Sequence, residues 1–169
     1  MSSRHSPTST DAAVDIARRF AEEVWNGREY TAIPELVHRD YVLHDPAAPD
    51  PIRGRDALER HIRDSVRAFP DLHVEPRLGL GEGETVMTYY TTTGTFDGAY
   101  GPLSPTGRRV AVDGTAVIRY EDGKMREEHL YYDTADFRKQ LGVTGLGFLR
   151  QVPSIARWTL RTVRARLFG

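Results

Sequence analysis

Cysteine is absent from this 169-residue sequence. That removes thiol nucleophiles, disulfide scaffolds, iron–sulfur ligation and cysteine zinc sites together. Strong charge of one sign is missing too. With 23 basic and 24 acidic residues the formal net charge is −1, so no global field exists to hold nucleic acid or an anionic membrane. No run approaches the roughly 18 apolar residues of a membrane span, and the opening MSSRHSPTST lacks the apolar core of a secretion signal. A cytoplasmic location is the expectation. The motifs GxGxxG, GxxxxGK[ST] and GxSxG are likewise missing, which removes the usual phosphate cradles and the hydrolase nucleophile elbow.

What is present suits one compact domain, since 39% of the residues are apolar and 28% are charged. Residues 1–10 are rich in Ser, Thr and Pro and read as a disordered start. From Asp11, Val14, Ala17, Phe20, Ala21, Val24 and Trp25 recur at helical spacing until Asn26-Gly27 stops the run, with Thr10 as a candidate cap. A turn around Tyr30 to Val37 leads to a short strand, Tyr41 to His44, ended by Asp45-Pro46. Leu58, Ile62, Val66 and Phe69 mark a second helix from Arg55 to Phe69.

After Pro70 the period changes from 3.6 to 2. Leu72–Leu80, Thr85–Phe96, Arg108–Tyr120 and Met125–Tyr132 are rich in Val, Ile, Thr and Tyr, and Asp122-Gly123 between the last two is a hairpin signal. Helices first and an antiparallel sheet afterwards is an α+β order, in which helices cover one face of the sheet and a curved sheet encloses a pocket.

The hairpin assigns faces. With Asp122-Gly123 at the tip, Tyr120 faces Met125, and alternation places Val112, Gly114, Ala116, Ile118 and Tyr120 on the same side as Glu127, His129, Tyr131 and Asp133. Asp133 and His129 in apolar surroundings then carry the shifted pKa values of a general acid/base. Asp133-Thr134 is equally well placed to cap the helix Thr134 to Leu141, and the two roles are compatible.

His44, at a strand end, is read either as a pocket-lining hydrogen-bond partner or as a solvated terminus. His38, Asp40 and His44 match no ligand spacing, so no metal is expected. His61, among Arg60, Arg63 and Asp64, reads as a wet helix face. Tyr89, Tyr90, Phe96, Tyr100, Tyr120, Tyr131 and Tyr132 give the sheet half an aromatic content that suits core packing, a dimer interface or a planar organic ligand.

Residues 150–169 hold five arginines and no acid, leaving 18 basic and 24 acidic side chains in residues 1–149. Residues 143–169 form a basic amphipathic helical extension, with Pro153 near the helix start. Such a helix can pack back on its own acidic body, dock on a partner or lie on a membrane surface, the first being the simplest.

The runs His44-Asp45-Pro46, Gly54-Arg55-Asp56-Ala57-Leu58, Ala68-Phe69-Pro70-Asp71-Leu72, Gly94-Thr95-Phe96, Pro105-Thr106-Gly107-Arg108, Glu121-Asp122-Gly123-Lys124, Tyr132-Asp133 and Gln140-Leu141-Gly142 resemble the SnoaL-like polyketide cyclases of the nuclear transport factor 2-like superfamily. The resemblance spans residues 11–142. It implies a cone-shaped fold and a cofactor-free intramolecular aldol closure of a hydrophobic, polyketide-like substrate, with Asp133 as acid/base. His129 and His44 join Asp133 as catalytic candidates. Tyr131, Tyr120, Tyr89, Phe96, Trp25, Val112 and Ile118 are the substrate-binding candidates, and a homodimer through the outer sheet face is expected. An isomerase, dehydratase or epoxide hydrolase using the same aspartate, or a non-catalytic binding or scaffold subunit, are the alternatives this scaffold allows. Leu130 stands where family members often carry tryptophan, a departure that affects pocket shape.

Overall fold

The computed structural model describes residues 10–168, with side chains as far as Thr162. The reading of residues 1–10 as disordered therefore falls, but for Thr10, outside the described residues. Helix α1 (Thr10–Arg19) runs on into a π-helical stretch, Phe20–Asn26, and buries Ala13, Ala17, Phe20, Ala21 and Val24. Thr10 is itself helical rather than a cap. Asn26 ends this element by clamping Val74: its amide donates to the Val74 carbonyl at 2.8 Å and accepts from the Val74 N–H at 2.8 Å. One side chain thus ties the helix end to a strand. A 3-10 turn (Tyr30–Ala32) and the short α2 (Ile33–Leu36) lead into β1 (Val37–His44), longer than the four residues expected. Residues 52–53 form the two-residue β2, and α3 (Arg55–Ala68) follows.

The sheet strands are β3 (His73–Glu82), β4 (Thr85–Thr95), β5 (Arg109–Glu121) and β6 (Lys124–Tyr132). Their order is β2-β1-β6-β5-β4-β3. Neighbours run antiparallel except β1 and β6, which are parallel. Helices α4 (Thr134–Gln140) and α5 (Leu146–Phe168) complete the chain. The architecture is α+β: N-terminal helices on a six-stranded, mainly antiparallel sheet.

Asp122 (φ 53°) and Gly123 (φ 72°) are both left-handed, the backbone that a two-residue hairpin with the strands' own twist requires. Tyr120 pairs with Met125, as the turn predicts. One step on, the ladder slips: Arg119 pairs with Glu127, so Arg126 is an extra residue in β6. A slip of one residue moves every later side chain to the opposite face. Ile118 therefore lies beside Glu128, Ala116 beside Leu130 and Gly114 beside Tyr132. The side expected to carry Glu127, His129, Tyr131 and Asp133 carries Glu128, Leu130 and Tyr132 instead.

The main core joins Phe20, Val24, Leu36, Tyr41, Leu43, Leu58 and Ile62 to Val86, Ala116, Ile118, Tyr120 and Met125. A second cluster holds Phe69, Leu72, Phe96, Val110, Leu141 and Val143. Tyr120 is fully buried, and its hydroxyl has no hydrogen-bond partner among the described residues. An unmade buried hydrogen bond costs about 1–3 kcal/mol. Tyr120→Phe is expected to raise stability by about 1 kcal/mol, checked by urea denaturation; a loss of stability would mean that the hydroxyl is satisfied.

Candidate active site

A cavity of about 350 Å³ lies between the helices and the inner sheet face. Its wall is mostly apolar, with Val14, Phe20, Trp25 and Leu58 from the helices, Val112, Ala116 and Ile118 from β5 and Leu130 from β6. Its polar wall groups include Asp45, His61, Ser65, Tyr90, Tyr100, Glu128 and Tyr132. Gly114 makes room for one of them. A Cβ there would stand 2.7 Å from the Tyr90 hydroxyl oxygen and ring carbon Cζ, closer than such atoms approach.

Asp45 follows the last residue of β1, two positions beyond the inward Leu43, so alternation points it at the cavity. Its Oδ1 accepts from the Tyr132 hydroxyl at 2.7 Å and from the Ala47 N–H at 2.8 Å, and its side chain is only 6% exposed. Its Oδ2 lies 3.8 Å from His61 Nε2. The imidazole packs edge-on against the Trp25 ring, with centroids 6.3 Å apart. Burial lowers the His61 pKa from its ordinary 6.5, with the charges of Asp45 and Asp64 opposing the shift. A buried, neutral imidazole with a carboxylate behind it can take up a proton and keep the resulting charge stabilised.

Glu128 reaches the same cavity from β6. The Tyr41 hydroxyl donates to its Oε2. Burial pushes its carboxyl up to about 7, while that hydrogen bond opposes the shift and the Asp45 charge adds to it. It is thus a carboxylic acid poised between protonated and ionised near neutrality. Burial also raises the phenols of Tyr90 and Tyr132, and pushes that of Tyr100 up to about 12. These three stay protonated as hydrogen-bond donors.

The residues expected from sequence distribute differently. Trp25, Val112 and Ile118 line the cavity. Asp133 does not: it is an exposed N-cap of α4, its Oδ1 accepting from the Ala135 and Asp136 N–H groups at 2.9 Å each. The capping geometry at the strand end claims the side chain. His129 and Tyr131 sit on the outer sheet face because of the slip at Arg126, and Tyr89 is exposed there beside them. Tyr120 and Phe96 are fully buried packing residues outside the cavity wall. His44 is also on the outer face, opposite His129.

Missed in the sequence were His61, Asp45, Glu128 and Tyr132 as a group. A signal for His61 existed. Leu58, His61, Ile62 and Ser65 follow helical spacing on the inward stripe of α3, although the flanking arginines suggest a wet face.

On the outer face His44, Glu127 and His129 bring ligand atoms within 4.8 Å of one another. Glu127 Oε1 lies 3.1 Å from His44 Nε2 and 3.4 Å from His129 Nε2, and the His44 hydrogen bond holds the carboxyl below its usual range. The two rings stack with centroids 4.1 Å apart and planes 6° from parallel. An imidazole ligates in its own plane, so a cation here would require one ring to turn. Arg119, 3.3 Å from Glu127 Oε2, already supplies positive charge.

Comparison with solved structures places the fold among known ones. A proposed SnoaL-like polyketide cyclase from Jannaschia sp. CCS1 shares 18% identity at a TM-score of 0.74, over 85% of this chain and 100% of that one. TsrD from Streptomyces laurentii gives 20% identity and a TM-score of 0.72, over 81% and 99%. A hypothetical protein with a ketosteroid isomerase-like fold from Catenulispora acidiphila, in complex with trimethylamine, gives 21% and 0.64, over 76% and 92%. No curated protein matches the chain. Residues 15–141 match the family described as SnoaL-like polyketide cyclase, three-quarters of the sequence, and the chain belongs to that family.

Proposed function

We propose that the protein is an acid/base enzyme that closes a ring on a hydrophobic, polyketide-like substrate by an intramolecular aldol reaction, and that the cavity between helices and sheet is its substrate pocket. The observation that carries this reading is the buried Asp45–His61 pair in an otherwise apolar cavity, with Glu128 in the same wall. Neutral His61 takes the proton alpha to a substrate carbonyl. The enolate carbon then attacks a second carbonyl carbon of the same molecule, forming the carbon–carbon bond and an alkoxide. The imidazolium, stabilised by Asp45, returns its proton to that alkoxide. Protonated Glu128 and the Tyr90 hydroxyl are the donors available to a developing enolate oxygen, the Tyr132 hydroxyl being engaged with Asp45. Every bond in this sequence is made by the substrate and these side chains, so the reading calls for no cofactor.

The assembly assigned with it is a homodimer through the outer sheet face. Support comes from Leu80, Met87, Tyr89 and Tyr131, all exposed on strands β3, β4 and β6.

The test offers a panel of polyketide-like methyl esters to the full chain and follows products by mass spectrometry and NMR. A product of unchanged mass with one new carbon–carbon bond and one new hydroxyl supports ring closure. Loss or gain of water, or a moved double bond with no new ring, overturns it in favour of dehydration, hydration or isomerisation. Ligand binding without turnover would leave only a binding subunit.

A further inference from the structure

Helix α5 does not pack its apolar side on the body, contrary to the simplest reading of its sequence. It meets the body through the opposite side. Gln151 is 3% exposed, its Oε1 accepting from the Ser104 N–H at 2.7 Å and its Nε2 donating to the Ser104 carbonyl at 3.2 Å. Ser154 and Ile155, near it on the helix surface, are half-buried.

Leu149, Val152, Ala156 and Leu160 recur at steps of three and four, so they form one stripe along the helix. All four are exposed, Leu149 at 64% and Leu160 at 72%. In sequence the stripe continues at positions 163 and 167. Immediately beside it runs a second row, Arg150, Arg157 and Arg161, also exposed and continued in sequence at position 164. From Leu146 to Phe168 there is no acidic residue.

An unpartnered apolar stripe flanked by arginines fits a surface that is greasy below and negative above. An antiparallel second copy of the helix fits badly: stripe-to-stripe pairing would bring the two arginine rows to the same edge with no carboxylate to separate them. No helix among the described residues is long and apolar enough to cross a membrane. An orientation in the plane of the interface is what this pattern favours. We propose that α5 is an interfacial anchor that lies on anionic lipid, its Leu149–Leu160 stripe among the acyl chains and its arginine row on the headgroups. This assignment is independent of the chemistry in the cavity.

Sedimentation of the full chain with vesicles of phosphatidylcholine alone, or mixed with phosphatidylglycerol, tests it. Binding is expected to the mixed vesicles, to weaken with salt, and to fall on the order of thirtyfold in Arg157→Gln/Arg161→Gln. Leu149→Ser/Leu160→Ser is expected to lose at least about tenfold. All four positions are exposed, so both variants should melt with the wild type. Equal binding to the two vesicle types, or no binding, overturns the proposal. So does a wild-type dimer that fails to bind vesicles and that Leu149→Ser/Leu160→Ser dissociates, since the stripe then belongs to a second copy.

Discussion

Replacing His61 with asparagine is expected to lower turnover by about 10²- to 10⁴-fold, the usual contribution of a positioned general base, while leaving the fold intact. The wild-type dependence of kcat/KM on pH should rise as the imidazole loses its proton, with an inflection below the ordinary histidine value of 6.5, because burial disfavours the charged ring. Asp45→Asn separates positioning from simple damage. Its amide oxygen can still accept from the Tyr132 hydroxyl, so the local hydrogen bond survives. The negative charge that raises the His61 pKa does not survive, and the inflection should move to lower pH as turnover falls. A profile that keeps its wild-type inflection in Asp45→Asn would remove the pair from the mechanism. Undiminished turnover in His61→Asn would pass the role of base to Glu128.

Glu128→Gln is expected to raise stability at neutral and alkaline pH. Burial pushes the folded carboxyl up to about 7 from the ordinary 4.5 of a solvated glutamate. Below 4.5 the carboxyl is protonated folded and unfolded alike, and burying it carries no ionisation penalty. Between 4.5 and about 7 the folded state binds more protons than the unfolded one, so stability falls as pH rises through that window. The full loss, reached above about pH 7, is about 3 kcal/mol. Glutamine cannot ionise and still accepts from the Tyr41 hydroxyl. Relative to wild type, the variant should gain roughly 10 °C in Tm between pH 4.5 and pH 8. Parallel melting curves across that range would mean that the carboxylate is solvated when charged.

Much of the scaffold is legible in the sequence because it depends on local signals. The inward stripe of α3 and the Asp122-Gly123 hairpin carry their own chemistry, and the Tyr120–Met125 pairing follows from the turn. Asp133 is instructive because both of its readings were available. The capping reading needs only the next three residues, whereas the pocket reading needs the correct parity of a strand. That parity is what the sequence withholds. Arg126 is neither glycine nor proline, and nothing around it announces an extra residue in the ladder. The same blindness conceals Glu128 and Tyr132, which alternation from the hairpin tip assigns to the outer face. His61 was hidden differently, by charged neighbours on adjoining faces of its own helix.

The extra residue at Arg126 also bears on how cavities of this shape diversify. Deleting that residue would only straighten the ladder, since Glu127 would then follow Met125 opposite Arg119 and Glu128 would stay beside Ile118. Drawing it into the ladder opposite Arg119 would instead send Glu128 and Tyr132 behind the sheet and bring His129 and Tyr131 forward. Two sets of wall groups thus lie one register step apart in the same strand, and whether Arg126 is looped out or paired decides which of them the cavity receives.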